Sequence, residues 1–421
     1  MIPAAVVYPY EAPSGFGVIK SLYLAGVPII GLNHKKHFAA FSNKFKSLLC
    51  PDPIRDPNGF VDFLITLGKK NEKSVFFGAL DIVTALILLN KKALSQYYYY
   101  PYLDDKTIDV AFNKWTMFCI AKQLAIPVPD TIMPSTIEDI GNADLPFPSV
   151  VKPLAHFIIK EGGLSKIEEF SDIYKDAKAL EVLNKRELAA LCHKALGEGF
   201  EIIAQEEIPG GCQHFYETKF YVDQKGHMSD ITVSRKIRQL PADFGVCSFG
   251  EIAHCEVIKD YTIKFVNATN YRGLGELEFK YDQRDGKFKF IEFNPRANQW
   301  ISITTFSGNN LVLRQYEDFA GKIGHEKRHR IDKTKWFDLR REIGYWARYG
   351  LDRSSPYYIS FMHQSKSLSE GNATEAFLSS DDPILSIAYM YECIKIAVRK
   401  IIKHVIFKLT GIDISRYRQK V

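Results

Sequence analysis

A chain of 421 residues exceeds one ordinary hydrophobic core and implies two or three domains. Its 46% hydrophobic and 25% charged composition excludes a disordered or fibrous protein, and a net charge of +6 is too small for a dedicated nucleic-acid binder. Seven scattered cysteines without a Cys-x-x-Cys pair, no leader-like start, and an apolar maximum (75–89) that is short and carries Asp81 together predict a cytoplasmic protein without disulfides or membrane spans.

The N-terminal third alternates strand-like segments (4–8, 27–31, 74–78) with helical ones. This pattern predicts a parallel sheet with helices on both faces. Gly15-Phe16-Gly17 opens the first helix, placed at 18–25. A dinucleotide-binding loop is one reading, but Lys20 stands where the third glycine belongs, so a tight turn is preferred. The tyrosine run 97–100 is either an aromatic platform or, more commonly, half-buried domain packing. A helix follows from Asp104 and stops at Ile126-Pro127-Val128-Pro129. Next come a strand at 149–152, a hairpin at Gly162-Gly163, two helical segments between 170 and 199, and a strand ending at Pro209-Gly210-Gly211. Residues 215–293 read as antiparallel strands, and helices resume after Asn309. The basic run 322–341 reads as a solvated linker and helix start. The fold class is therefore mixed α/β (α+β), divided at 1–103, 104–325 and 326–421, the last part helical.

The hairpin at 275–294 carries the strongest chemical signal. A three-residue loop, Arg284-Asp285-Gly286, with a left-handed glycine sets Phe279 opposite Ile291 and Leu277 opposite Phe293 on an apolar face. On the other face it sets Glu278 opposite Glu292 and Glu276 opposite Asn294. A loop of another length would separate the two carboxylates. Like charges facing each other across a sheet are destabilising, so the arrangement makes sense around a cation. Oxygen ligands of this kind (Glu278, Glu292 and Asn294) suit Mg²⁺, with Mn²⁺ as an alternative. An exposed acidic face is the plainer reading. Against it stands Asn294-Pro295-Arg296, which ends the strand and places a guanidinium beside the site, suited to gripping a carboxylate or phosphate.

Lys114, Val150-Val151-Lys152-Pro153, Gln205-Glu206-Glu207-Ile208-Pro209-Gly210 and Glu292-Phe293-Asn294-Pro295-Arg296 follow one another in an order that resembles the ATP-grasp superfamily, in particular its carboxylate–amine ligases of the D-aspartate ligase type. The resemblance implies an N-terminal Rossmann-like domain preceding a two-lobed ATP-grasp core. It implies ATP as the nucleotide, with Lys114 and Lys152 on its phosphates and Lys160 on a flap 160–166 that closes over them. Glu206, Glu207 and Ile208 form the hinge that reads adenine and ribose. The basic strand 235–241 faces the reaction centre, with Arg238 on the acyl phosphate or substrate carboxylate and Lys236 beside it; a salt-bridged surface strand is the competing reading. Asn113 and the segment 210–214 depart from the family pattern, where acidic residues are common.

The activity implied is ATP-dependent joining of a small-molecule carboxylate to an amine. Two alternatives stay open: a carboxylase-type reaction using bicarbonate, and an ATP-binding scaffold without turnover at a membrane. Residues 394–421 combine an apolar stripe (Ile394, Val398, Ile401, Ile402, Val405, Leu409) with basic neighbours. That pattern fits either peripheral contact with the inner face of the cell membrane or packing on the protein's own core.

Overall fold

Short apolar segments joined by helices fold in the N-terminal third as their alternation implies. In a computed structural model of the chain, which describes residues 2–154, 158–160, 163–165, 179–322 and 333–410, the strands β1 (Ala5–Tyr8), β2 (Ile29–Asn33), β3 (Lys46–Leu49), β4 (Ser74–Gly78) and β5 (Tyr98–Tyr99) form a parallel sheet. Their order is β3-β2-β1-β4-β5. Strands β1, β2 and β4 are buried throughout, as expected of parallel strands covered by helices. The first helix runs from Pro13 to Tyr23, so Gly15 and Gly17 lie inside it. A Cβ on Gly15 would sit 1.9 Å from the Pro9 carbonyl oxygen, and one on Gly17 3.1 Å from the Ile301 side chain. These glycines permit close packing, which corrects the tight-turn reading. The tyrosine run is packed rather than displayed: Tyr98 and Tyr100 are buried, and the Tyr98 hydroxyl donates to the Leu64 carbonyl at 2.7 Å.

The next segment supplies β6 (Thr131–Ile132), β7 (Ser149–Pro153), the β8 (Ile158–Lys160) and β9 (Gly163–Ser165) hairpin, β10 (Leu180–Val182) and β11 (Ile202–Glu206). Strands β10-β7-β11-β6 form an antiparallel sheet. Helix Lys185–Gly197, capped by the Asn184 side chain, seats Leu188 and Cys192 against Val151, Ile202 and Ala204 of that sheet. The first of the two helical segments expected after residue 170 falls largely on residues outside those described.

A larger sheet follows, built from β12 (Phe215–Val222), β13 (Thr232–Leu240), β14 (Val246–Ile252), β15 (Gly273–Asp282), β16 (Lys287–Asn294), β17 (Thr334–Phe337) and β18 (Asn372–Glu375). Its order is β16-β15-β12-β13-β14-β17-β18. Helix Glu256–Thr269 packs Ile258, Phe265 and Val266 in one core with Leu277, Phe279, Phe290 and Phe293 on the sheet's apolar face. Strands β17 and β18 come from the region expected to be helical, so that region extends the core sheet as well as contributing helices Leu339–Tyr345, Phe361–Ser369 and Pro383–Thr410.

The β15–β16 hairpin reaches the expected pairing by another route. Asp282 pairs with Lys287, so the loop spans four residues, 283–286, with Gly286 at φ +69°. The shorter register persists to Phe279, which pairs with Phe290 and not with Ile291. An irregularity between Phe279 and Glu278 then absorbs Ile291, and Glu278 faces Glu292 while Glu276 faces Asn294. The bulge compensates the longer loop, and such an extra residue re-aims the side chains beyond it.

Gly250 on β14 meets the buried ring of Trp300: an added Cβ would lie 2.2 Å from Cζ3. Gly250→Ala is expected to destabilise the fold by about 1–3 kcal/mol through overpacking, read as a lower midpoint in urea denaturation.

Candidate functional site

The polar face of the large sheet carries charged residues at alternate positions on adjacent strands. Glu217 on β12 pairs with Glu278 on β15, and Lys219 with Glu276, while Ser234 and Lys236 continue the face onto β13. The carboxylates of Glu217, Glu276 and Glu278 approach within 4.8 Å of one another. Two ammonium groups interleave with them. Lys219 Nζ donates to Glu217 at 2.7 Å and to Ser234 at 2.6 Å, and lies 3.5 Å from Glu276. Lys236 Nζ is 2.7 Å from Glu278 and 3.6 Å from Glu217.

Electrostatics divide the trio. Burial opposes ionisation of Glu217, but Lys219 and Lys236 outweigh it and hold the carboxyl at about 2. Burial, and next the charge of Glu217, push Glu276 well above the usual carboxylate range. For Lys236 the nearby Glu278 and Glu217 overcome burial and favour the ammonium form. Asn298 donates to Glu217 at 3.1 Å and to Glu276, while its Oδ1 is buried without a hydrogen-bond partner. A carboxylate trio beside an orphaned amide oxygen fits a hard divalent cation held by oxygens.

Of the expected metal ligands, Glu278 belongs to this trio. Glu292 lies on the same strand face, 3.6 Å from Lys114 Nζ. Asn294 donates to Glu276 at 3.0 Å and accepts from Arg296 at 3.1 Å. Glu217, Lys219 and Asn298 were not foreseen. A Glu-x-Lys pair inside the aromatic strand 215–222 was the available signal, since charges at alternate positions of such a strand need partners.

The residues expected to face the nucleotide lie on the four-stranded sheet, β8, the segment that follows β11 and the start of a neighbouring helix. Lys114 is buried at the start of helix Lys114–Gln123, where the Asn113 side chain accepts from the amides of Trp115 and Thr116. Asn113 thus caps the helix, a role that asparagine fills as well as aspartate. Lys152 donates to Gln205 Oε1 at 3.0 Å from the neighbouring strand. Glu206 is held by protein partners: its carboxylate accepts from the Asp130 amide at 3.0 Å and from Arg284, and lies 3.5 Å from Lys289. This ties the hinge to the β15–β16 turn. Lys280 donates to the Ile208 carbonyl at 2.6 Å. Glu207 keeps a buried Oε2 without a hydrogen-bond partner, its acidity weakened by burial and by Glu181. Lys160 ends β8 opposite Gly163; residues 161, 162 and 166 of the expected flap lie outside the described residues.

The three cationic grips fare differently. Lys236 faces the carboxylates. Arg238 does not, because a bulge between Lys236 and Arg238 breaks the alternation that would have kept them on one face. Its guanidinium is buried over Phe249 and donates to Glu342 through Nε at 2.8 Å and Nη2 at 2.6 Å, with Ser367 at 3.1 Å. It borders a cleft of about 540 Å³ walled by Cys212, Tyr345, Tyr357 and Tyr358. Arg296 reaches Asn294 but forks onto Asp81, with contacts of 2.7 and 2.8 Å.

Residues 251–317 match the family described as Carbamoyl-phosphate synthase L chain, ATP binding domain. A D-aspartate ligase of Enterococcus faecium is 26% identical, over 63% of this chain; the chain spans 63% of that relative's length. Among solved structures, an L-amino acid ligase from Bacillus licheniformis superimposes with a TM-score of 0.54 at 17% identity, covering 76% of each chain. N5-carboxyaminoimidazole synthetase from Staphylococcus aureus, complexed with ADP, gives 0.55 at 14% identity, covering 77% of this chain and 79% of that one. These likenesses establish the fold.

Burial pushes the Lys152 amine down to about 8, against the pull of Glu292 and Glu278 and with the help of Lys114 and Lys280. A phosphate held against Lys152 would restore the charged form. Nucleotide binding at pH 9 is therefore expected to take up a proton, and affinity to fall as pH rises above about 8, by up to about tenfold per unit. Calorimetry in buffers of different ionisation enthalpy checks this, and Lys152→Met should abolish the uptake.

Proposed function

We propose, from the premise that the chain belongs to the ATP-grasp superfamily, that it is an ATP-dependent ligase joining a small-molecule carboxylate to an amine. The observation that carries this reading is the largely buried face of Glu217, Glu276 and Glu278, adjoining Glu292 and Asn294, with the ammonium groups of Lys114 and Lys152 near Glu292. A site built to neutralise and position polyphosphate needs these groups.

In this reading Lys114 and Lys152 hold the ATP phosphates, joined by Lys160 from the β8–β9 hairpin. The backbone of 206–208 borders the adenine, and the unpartnered Glu207 Oε2 accepts from the ribose. Glu278, Glu292 and Asn294 hold Mg²⁺ or Mn²⁺, with Glu276 and Glu217 behind them. When bound, the ion neutralises phosphate charge. A substrate carboxylate oxygen attacks the γ-phosphorus and ADP departs. The amine nitrogen then attacks the acyl carbon, phosphate leaves, and the nitrogen loses a proton, giving an amide. Lys236, still paired with Glu278 and Glu217, and Arg296, exchanging Asp81 for a substrate carboxylate, steady the anionic groups. Arg238, its fork spent on Glu342, is assigned to holding the C-terminal region against the core.

The decisive measurement is ADP release across a panel of carboxylates and amines. Release that depends on both supports the ligase. Dependence on bicarbonate would identify a carboxylase-type reaction, and tight nucleotide binding with no turnover would identify a scaffold. Chelation should abolish release and Mg²⁺ restore it. Glu292→Gln is expected to lower kcat by about a hundredfold or more with an unchanged Tm; near-normal turnover would remove Glu292 from the metal site.

A further inference from the structure

The C-terminal helix Pro383–Thr410 has two apolar sides, and among the described residues one is buried and the other exposed. Leu385, Tyr389 and Cys393 are buried in the core. The Tyr389 hydroxyl bonds to Glu375 at 2.5 Å and to Asp338 at 3.2 Å, which fixes the helix's rotation. On the opposite side Ile384, Ile387, Tyr391, Ile394, Val398 and Ile401 follow at three- and four-residue steps and are 44–72% exposed. This stripe is about 25 Å long at 1.5 Å per residue. It begins ten residues before the segment singled out in the sequence, and at residues 394–402 it points outward.

Isolated exposed apolar residues are ordinary, but a continuous stripe of this length marks a contact surface. Charge selects the partner. Lys395, which also pairs with Glu392 at 2.8 Å, and exposed Arg399 lie to one side of the stripe. Lys400, Lys403, Lys408, Arg416, Arg418 and Lys420 follow in the sequence, against Asp413 as the one acidic residue after Glu392. Two copies of so basic a segment would repel each other, whereas an anionic lipid surface attracts it and accepts the apolar side chains. Tyr391 adds a side chain suited to the headgroup level. No helix among the described residues is long and apolar enough to cross a membrane.

We propose that the outward face of this helix, from Ile384 to at least Ile401, docks the protein on an anionic lipid surface. The test uses the full chain in co-sedimentation with vesicles of phosphatidylcholine and phosphatidylglycerol, compared with phosphatidylcholine alone. Binding to the mixed vesicles is expected to be at least about tenfold greater and to weaken with salt. Ile387→Asp with Ile394→Asp should reduce it to the level of neutral vesicles, and Lys395→Glu with Arg399→Glu should reduce it as well. Both variants are expected to keep the wild-type Tm and ADP release. Protein left in the supernatant with anionic vesicles would overturn the proposal, as would full binding by the double aspartate variant. A light-scattering dimer that Ile387→Asp dissociates would also overturn it, by assigning the face to a second copy.

Discussion

The interleaving of buried acids and amines on one face of the large sheet governs the rest of the site. Glu217, Glu276, Glu278, Lys219 and Lys236 all come from adjacent central strands, and none of the five is more than slightly exposed. Breaking one of the buried ion pairs in such surroundings by removing a partner costs about 3–5 kcal/mol. The face is therefore stable only as a set, and its side chains are held where they stand before any ligand arrives. Pre-set charge of this kind needs no reorganisation when a polyphosphate is neutralised, which is the condition for electrostatic catalysis.

That set depends on the sheet's other face. Leu277, Phe279, Phe290 and Phe293 anchor the β15–β16 hairpin on helix Glu256–Thr269 and fix which residues point to the polar side. A slip of one residue would exchange the faces. The clamp of Glu206 on Arg284 and Lys289 fixes the turn of the same hairpin to the end of β11, so the two sheets are tied together there.

Much of the architecture was legible because periodicity reports burial. The alternation of the N-terminal third gave a parallel sheet, and the period of two in 275–294 separated the apolar face from the acidic one. The facing of Glu278 and Glu292 was reached with a three-residue loop and no bulge, while the chain uses a four-residue loop and a bulge at Ile291; the two differences cancel. What stayed hidden were contacts between segments distant in sequence. Glu217 enters the trio through a pairing sixty-one residues away that no local pattern specifies. Arg238 leaves the site because of an irregularity between strands and because Glu342, a hundred and four residues on, captures it. Gly15 resembled a loop glycine because sequence does not show that Pro9 crowds its α-carbon.

The two arginines at the edges of the site tie it to the flanking regions in different ways. Arg238 and Glu342 are both buried, and Gln364 donates to the same Glu342 oxygen at 2.9 Å, so that pair is a fixed joint to the C-terminal region. Arg296 instead grips Asp81 in the first turn of helix Asp81–Leu89 of the N-terminal region. An anion that takes over Arg296 leaves Asp81 in the first turn of its own helix, where the helix dipole favours a carboxylate. The cost of that exchange is thus lower than breaking an isolated buried pair, and Arg296 is the grip that the fold leaves able to change partners.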